Sequence, residues 1–291
     1  MATLRQIRRR IRSIQSTAKV TRAMELVAAS KMRRAQVRAL AARPYAEKVR
    51  AMLTDLVGSL LSAGADALHP LLEEREAKKV GIVLITPDRG LCGGLNANLN
   101  RYAAAFALEQ RSQGVEARMV CVGRKGRDFF ARAGYPLVAE FTRLGDYPSY
   151  EDMRPIARLL MEDYVLGEMD RVHLIYPLFI NTMTQRPQAQ QLLPVEPPEG
   201  AGLATVDYIY EPSARQVLAE LLPRYVEMQV YHAVLELSAS EQSARMVAMR
   251  NATDSANDMI QDLTLVYNKA RQEQITKELL DIVGGSAGLK R

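Results

Sequence analysis

The chain of 291 residues contains no tryptophan, and aromatic residues make up only 6% of it. A β-rich core built around large rings is a poor fit to that composition, whereas plentiful Ala and Arg suit long helices. Only two cysteines occur, Cys92 and Cys121, with no C-x-x-C pair and no apolar export signal. A disulfide framework is therefore not expected, and both thiols read as small hydrophobes in a reducing compartment. Histidine is scarce, at His69, His173 and His232, each isolated from other ligating side chains, so no metal site is expected. No stretch reaches the roughly 18 apolar residues of a membrane helix. The best run, Val80 to Thr86, has the length of a strand.

Acid is almost absent from the N-terminal region. Before residue 40 lie Arg5, Arg8, Arg9, Arg10, Arg12, Lys19, Arg22, Lys31, Arg33, Arg34 and Arg38, against Glu25 alone, in a chain of net charge +6. Such an arm suits nucleic acid, a membrane surface or an acidic protein, and it also has the composition of a mitochondrial transit peptide. No aromatic precedes Tyr45, which leaves base stacking without a platform and weakens the nucleic-acid reading.

What is present is periodicity. Ile7, Ile11, Ile14, Ala18, Thr21, Glu25, Ala28, Met32, Ala35, Ala39, Ala42, Ala46, Val49, Leu53, Leu56 and Leu60 follow one another in steps of four and three. A heptad pattern held this long predicts a coiled-coil seam, about 80 Å long at 1.5 Å per residue. Near the other terminus the same spacing returns from Leu221 through Met249, Thr253, Ala256 and Ile260 to Gln274. Kinks are expected at Pro44 and Pro223, and Gly284 and Gly285 are expected to cap the second helix. Neither helix has a partner in its own sequence, so the two are expected to pair antiparallel. The second would then outrun the first, leaving Ile275, Leu279, Leu280, Ile282 and Val283 on an unpaired tip that needs enclosure.

Between the helices, strands and helices alternate. Strands are expected at Val80–Thr86, Arg118–Val122, Leu137–Phe141 and Val172–Tyr176, with helices at Ala97–Gln113, around Phe129 and Phe130, and at Pro155–Leu166. That order predicts a mainly parallel sheet. A Pro/Gly-rich stretch, Pro194 to Gly202, precedes a strand-like Thr205 to Tyr210. The fold class is thus α/β plus coiled coil: a long antiparallel two-helix coiled coil of the termini with a central Rossmann-like α/β domain. The segments are 1–60, 75–210 and 212–285.

Chemistry is sparse. Asp88-Arg-Gly-Leu-Cys-Gly-Gly-Leu-Asn96 follows a strand and opens a helix, where phosphate loops sit, but lacks both the G-x-G-x-x-G spacing and the P-loop signature. A tight turn is the plainer reading. Gly123-Arg-Lys-Gly126 is read the same way. No catalytic set suggests itself, and no cofactor is expected.

The segment Ile11 to Arg34 (IRSIQSTAKVTRAMELVAASKMRR) resembles the N-terminal signature of the gamma subunit of F-type ATP synthases. Asp88 to Asn96, Phe179-Ile-Asn-Thr-Met183, Glu241 to Met249 and Leu263 through Glu278 to Gly285 are similar to further blocks of that family, in the same order. The resemblance implies a central-stalk rotor, not an enzyme by itself, turned by a c-ring inside a hexamer of alpha and beta subunits, with an epsilon subunit beside it. It implies hexamer contacts at Met24, Arg245, Arg271, Gln272, Thr276 and Glu278, and c-ring or foot contacts at Tyr208 and Glu211. Because the resemblance begins by residue 7, no transit peptide is expected; a peripheral protein on the cytoplasmic face of a bacterial inner membrane is. A basic coiled-coil nucleic-acid binder stands as the alternative.

Overall fold

The computed structural model describes residues 3–62, 69–196 and 210–288. The chain forms two compact units, Met1–Ala28 with Met246–Arg291, and Ala29–Arg245. Two helices run through both: α1 (Leu4–Ser62) and α5 (Ala214–Gly288). Pro44 and Pro223 lie inside them. Gly284 and Gly285 do not end α5, which continues to Gly288.

In the first unit α1 and α5 lie antiparallel. The Arg8 guanidinium sits 5.8 Å from the centre of the Tyr267 ring. Further along α1, Thr21 meets Thr253, and Glu25 meets Arg250. As one number rises the other falls. The buried side chains of α1 here are Ile7, Ala18, Thr21, Glu25 and Ala28, and those of α5 are Met249, Thr253 and Ala256. All lie on the four-three rows expected of a seam, and small Ala and Thr let the backbones approach closely. The register brings the start of α1 level with the region of Arg271, and residues 271–280 of α5 are exposed throughout.

In the second unit a five-stranded sheet has the order β3-β2-β1-β4-β5. Its strands are β1 (Lys79–Ile85), β2 (Glu116–Val122), β3 (Leu137–Phe141), β4 (Arg171–Phe179) and β5 (Gln185–Leu193). The first four are parallel, joined by α2 (Leu95–Ser112), α3 (Arg124–Arg132) and α4 (Arg154–Val165). The near-continuous apolar run of β1 is what a strand covered on both faces requires. Leu53, Leu56 and Val57 of α1 and Val226, Val230 and Val234 of α5 join the same core.

The fifth strand was not expected. Gln185-Arg-Pro-Gln-Ala-Gln-Gln-Leu-Leu193 has little apolar alternation, yet it pairs antiparallel with β4 as an edge. Its glutamines find specific partners: Tyr176 donates to Gln190 Oε1 at 2.6 Å, and Gln190 Nε2 donates to Gln229 at 3.3 Å. Pro187 is tolerated because an edge strand has one unladdered side. Asn181 Oδ1 closes the hairpin by accepting from the N–H groups of Met183 and Thr184. The strand-like segment expected at Thr205–Tyr210 lies outside the described residues except for Tyr210, which is not in a strand.

His173 on β4 packs against Phe106 of α2, ring centres 5.1 Å apart, and its Nδ1 is buried without a hydrogen-bond partner. Burial disfavours its charged form and pushes its pKa down to about 4. The unfolded chain takes up this proton near pH 6.5, before the folded chain does, so stability falls as pH drops from about 6.5 towards 4. The shift corresponds to at most about 3 kcal/mol. Replacing His173 with Gln is expected to flatten this limb, measured as urea midpoints between pH 7 and 4.

Candidate partner-contact surfaces

The seam of the first unit carries a polar cluster in place of apolar side chains. The Thr21 and Thr253 hydroxyls lie 2.7 Å apart, one donating to the other, with Ala18 O and Met249 O of their own helices in reach of the remaining hydroxyl proton. One turn on, the buried Glu25 carboxylate accepts from Arg22 at 2.8 Å and Arg250 at 3.1 Å. Only the carboxylate is buried; both guanidinium side chains are about 60% exposed. Apolar side chains tolerate sliding by a heptad, whereas these groups are satisfied in one register only, the best-attested use of polar seam residues. Met24 stands beside this cluster, half-buried.

Beyond the end of α1, Arg271, Gln272, Thr276 and Glu278 are all exposed on α5. Glu278 accepts from Gln274 at 2.8 Å across one turn. Between and after them Ile275, Leu279, Leu280 and Ile282 are also exposed, the last two by about two-thirds of their surface. An apolar helix end of this kind marks an interaction surface.

Arg245 is placed differently. Its side chain is only 12% exposed and lies in the second unit, donating to Glu241 at 2.6 Å and to the carbonyl of Gly90 at 3.1 Å. It thus ties α5 to the Gly-rich turn. Burial raises the Glu241 pKa, opposed by the adjacent Arg245 charge. The turn itself is tight: Leu91 and Gly93 have φ of 62° and 58°, and Gly94 precedes the first residue of α2.

At the neighbouring turn, between β2 and α3, the backbone donors are filled from within. Asp88 accepts from the N–H of Arg124 through Oδ1 and from the N–H of Arg143 through Oδ2, both at 2.9 Å. The next N–H groups of α3 are taken by Pro87 O and Thr86 Oγ1. A side chain at Gly123 would place its Cβ 1.7 Å from Thr86 O, so the two turns are locked together. Among the described residues no group of His, Cys, Asp and Glu is arranged to hold a metal ion.

Glu211 is exposed, and Tyr208 lies outside the described residues. The ATP synthase family model matches residues 3–289. The chain belongs to the ATP synthase gamma-chain family. The ATP synthase gamma chain of Dehalococcoides mccartyi (strain BAV1) is 56% identical over 289 residues, covering 99% of this chain and all of that one. That of Chloroflexus aurantiacus (strain J-10-fl) is 51% identical over 290 residues, 99% of each chain. Among solved structures, a chain of the Tetrahymena thermophila mitochondrial ATP synthase central stalk and c-ring is 29% identical with a TM-score of 0.62. That match covers 80% of this chain and 99% of the other. A chain of the Euglena gracilis mitochondrial ATP synthase, at 18% identity and a TM-score of 0.68, shares the fold over 98% of this chain and 94% of its own.

One carboxylate thus orders two turns. Asp88→Asn leaves a donor facing at least one of the two N–H groups. It is expected to cost about 1–3 kcal/mol and to speed amide exchange at Arg124 and Arg143 above that of the sheet, read by hydrogen exchange.

Proposed function

We propose that this chain is the central-stalk rotor of a proton-translocating ATP synthase, carrying rotation between a membrane c-ring and a catalytic hexamer of alpha and beta subunits. The observation that carries the reading is the antiparallel seam, fixed in register by Thr21–Thr253 and Glu25–Arg250 and extended by an exposed, partly apolar α5 end. A shaft must be stiff along its length yet leave no deep angular trap at its surface. Continuous seam packing supplies the first. Exposed charges, worth little each in water, supply the second.

In this reading Met24, Arg271, Gln272, Thr276 and Glu278 face the hexamer, and Arg245 contributes there as the tie beneath the Gly-rich turn. Tyr208 and Glu211 belong to the foot near the c-ring, with an epsilon subunit alongside. The terminal segments 1–60 and 212–285 form the shaft and 75–210 the α/β part. The chain holds no catalytic residue itself; nucleotide chemistry falls to the hexamer, in keeping with turns already filled by Asp88. No helix among the described residues is long and apolar enough to cross a membrane. The chain would attach through the complex, peripheral on the cytoplasmic face of a bacterial inner membrane, a reading that the rotor role and the bacterial relatives support.

The nucleic-acid alternative finds no support, because part of the basic arm is already engaged: Arg8 lies over Tyr267 and Arg22 pairs with Glu25. Purification of the tagged chain from native membranes is expected to recover alpha, beta and epsilon subunits with ATP hydrolysis that the chain alone lacks. Recovery of nucleic acid instead would overturn the proposal. Met24→Lys adds a charge beside the seam cluster and is expected to leave assembly intact while lowering the protons pumped per ATP; an unchanged ratio would remove Met24 from the hexamer-facing set.

A further inference from the structure

Behind the turns that Asp88 locks lies a cleft of about 200 Å³ at the carboxyl edge of β1 and β2. Its floor is Thr86 and Gly123, and its rim carries Arg89, Arg124 and Arg143. Three acids also line it, and each is compensated within the protein. Asp88 has both oxygens filled by backbone N–H groups, Asp146 is held by Lys31 at 2.8 Å, and Glu241 is held by Arg245 at 2.6 Å. The Lys31 contact accordingly holds the Asp146 carboxyl below its ordinary range.

The three arginines are not compensated in the same way. Neither Arg124 nor Arg143 has a carboxylate partner among the described residues, and both are exposed. Arg89 reaches Asp146 only at 3.9 Å, with most of its side chain in solvent. Elsewhere on the same unit Arg75, Arg118, Arg127 and Arg154 pair with carboxylates, while among the described residues Arg101 and Arg132 do not; what sets Arg89, Arg124 and Arg143 apart is that all three line one cleft. Arg143 also has a φ of 67°, a left-handed conformation uncommon for a residue with a Cβ, held by its N–H bond to Asp88. Strain of this kind concentrates where a side chain must be aimed. One carboxylate therefore fixes the backbones of two guanidinium groups on the rim of one cleft.

We propose that this cleft binds a small dianion of the phosphate class, free or as a phosphate ester, through the guanidinium groups of Arg89, Arg124 and Arg143. Planar guanidinium forks match phosphate oxygens two at a time. The N-terminus of α3 is not the site, since its first N–H groups are already bonded. The volume suits a phosphate-sized group, being smaller than the roughly 300 Å³ at which pockets for larger ligands begin. Binding would bridge the β1–α2 turn, the start of α3 and the segment after β3. That segment carries Asp146 and Tyr147, which meet Lys31, Arg34 and Arg38 of α1. Occupancy would thus stiffen the hold of the loop on α1.

The test is titration of the full chain with inorganic phosphate at constant ionic strength, followed by calorimetry and by amide shifts at 88–90, 124 and 143–146. Saturable binding is expected, at least tenfold weaker in R124Q/R143Q and unchanged in R101Q/R132Q, which alters charge away from the rim. Arg124→Gln alone, at an exposed position, is expected to weaken binding threefold or more and guards against misfolding of the double variant. Phenyl phosphate binding tighter than phosphate would assign an ester as the ligand, and the reverse would assign free phosphate. A response reproduced by chloride, or an affinity that R124Q and R124Q/R143Q leave unchanged, would overturn the proposal.

Discussion

The seam between the first turns of α1 and the Met249–Tyr267 stretch of α5 is the constraint on which the first unit depends. Neither stretch buries enough on its own to be a stable helix in water, where helical stability comes mainly from packing of a face. Together they exclude water from Ile7, Ala18, Ala28, Met249 and Ala256. The polar pairs then decide which of several heptad registers is taken. Specificity here rests on Thr21, Glu25, Arg250 and Thr253, and stiffness on the apolar rows around them.

The second unit solves a different problem. A mostly parallel sheet needs cover on both faces, and part of that cover comes from α1 and α5 through Leu53, Leu56, Val226 and Val230. Hydrogen bonds add direction: Glu236 accepts from the Phe179 N–H, and Ser243 donates to Thr182 O. These bonds, with the Arg245 tie to Gly90, fix a long helix to the sheet at named points, which bulk apolar packing would leave free to slide. Asp88 adds a further fixed point, accepting from the N–H groups of Arg124 and Arg143 and so tying the turn after β1 to the start of α3 and to the segment after β3.

Much of this was legible in the sequence. The four-three rows named every buried position of α1 in the first unit, and β3 was placed at its observed bounds, because seam burial and strand packing both leave a strong period in apolar residues. The polar edge strand β5 was not legible, since its glutamines are satisfied by partners on β4 and α5 that no local pattern reveals. Capping at Gly284 failed because glycine permits a helix end without compelling one. The proposal that Arg271, Gln272, Thr276 and Glu278 face a partner came from resemblance, as exposed polar positions on a helix look alike whether they face solvent or another chain. Arg245 was proposed the same way, and its tie to Gly90 spans a sequence distance that periodicity cannot see.

The central claim is that the two terminal helices move as one body in a fixed register while the hexamer turns over. Thr21→Cys/Thr253→Cys tests it in the assembled complex, where the native Cys92 and Cys121 are buried and do not compete. The account predicts rapid disulfide formation under mild oxidant, with ATP-driven proton pumping retained while the bond is closed. Failure of the pair to cross-link, or pumping that stops until the bond is reduced, would contradict it.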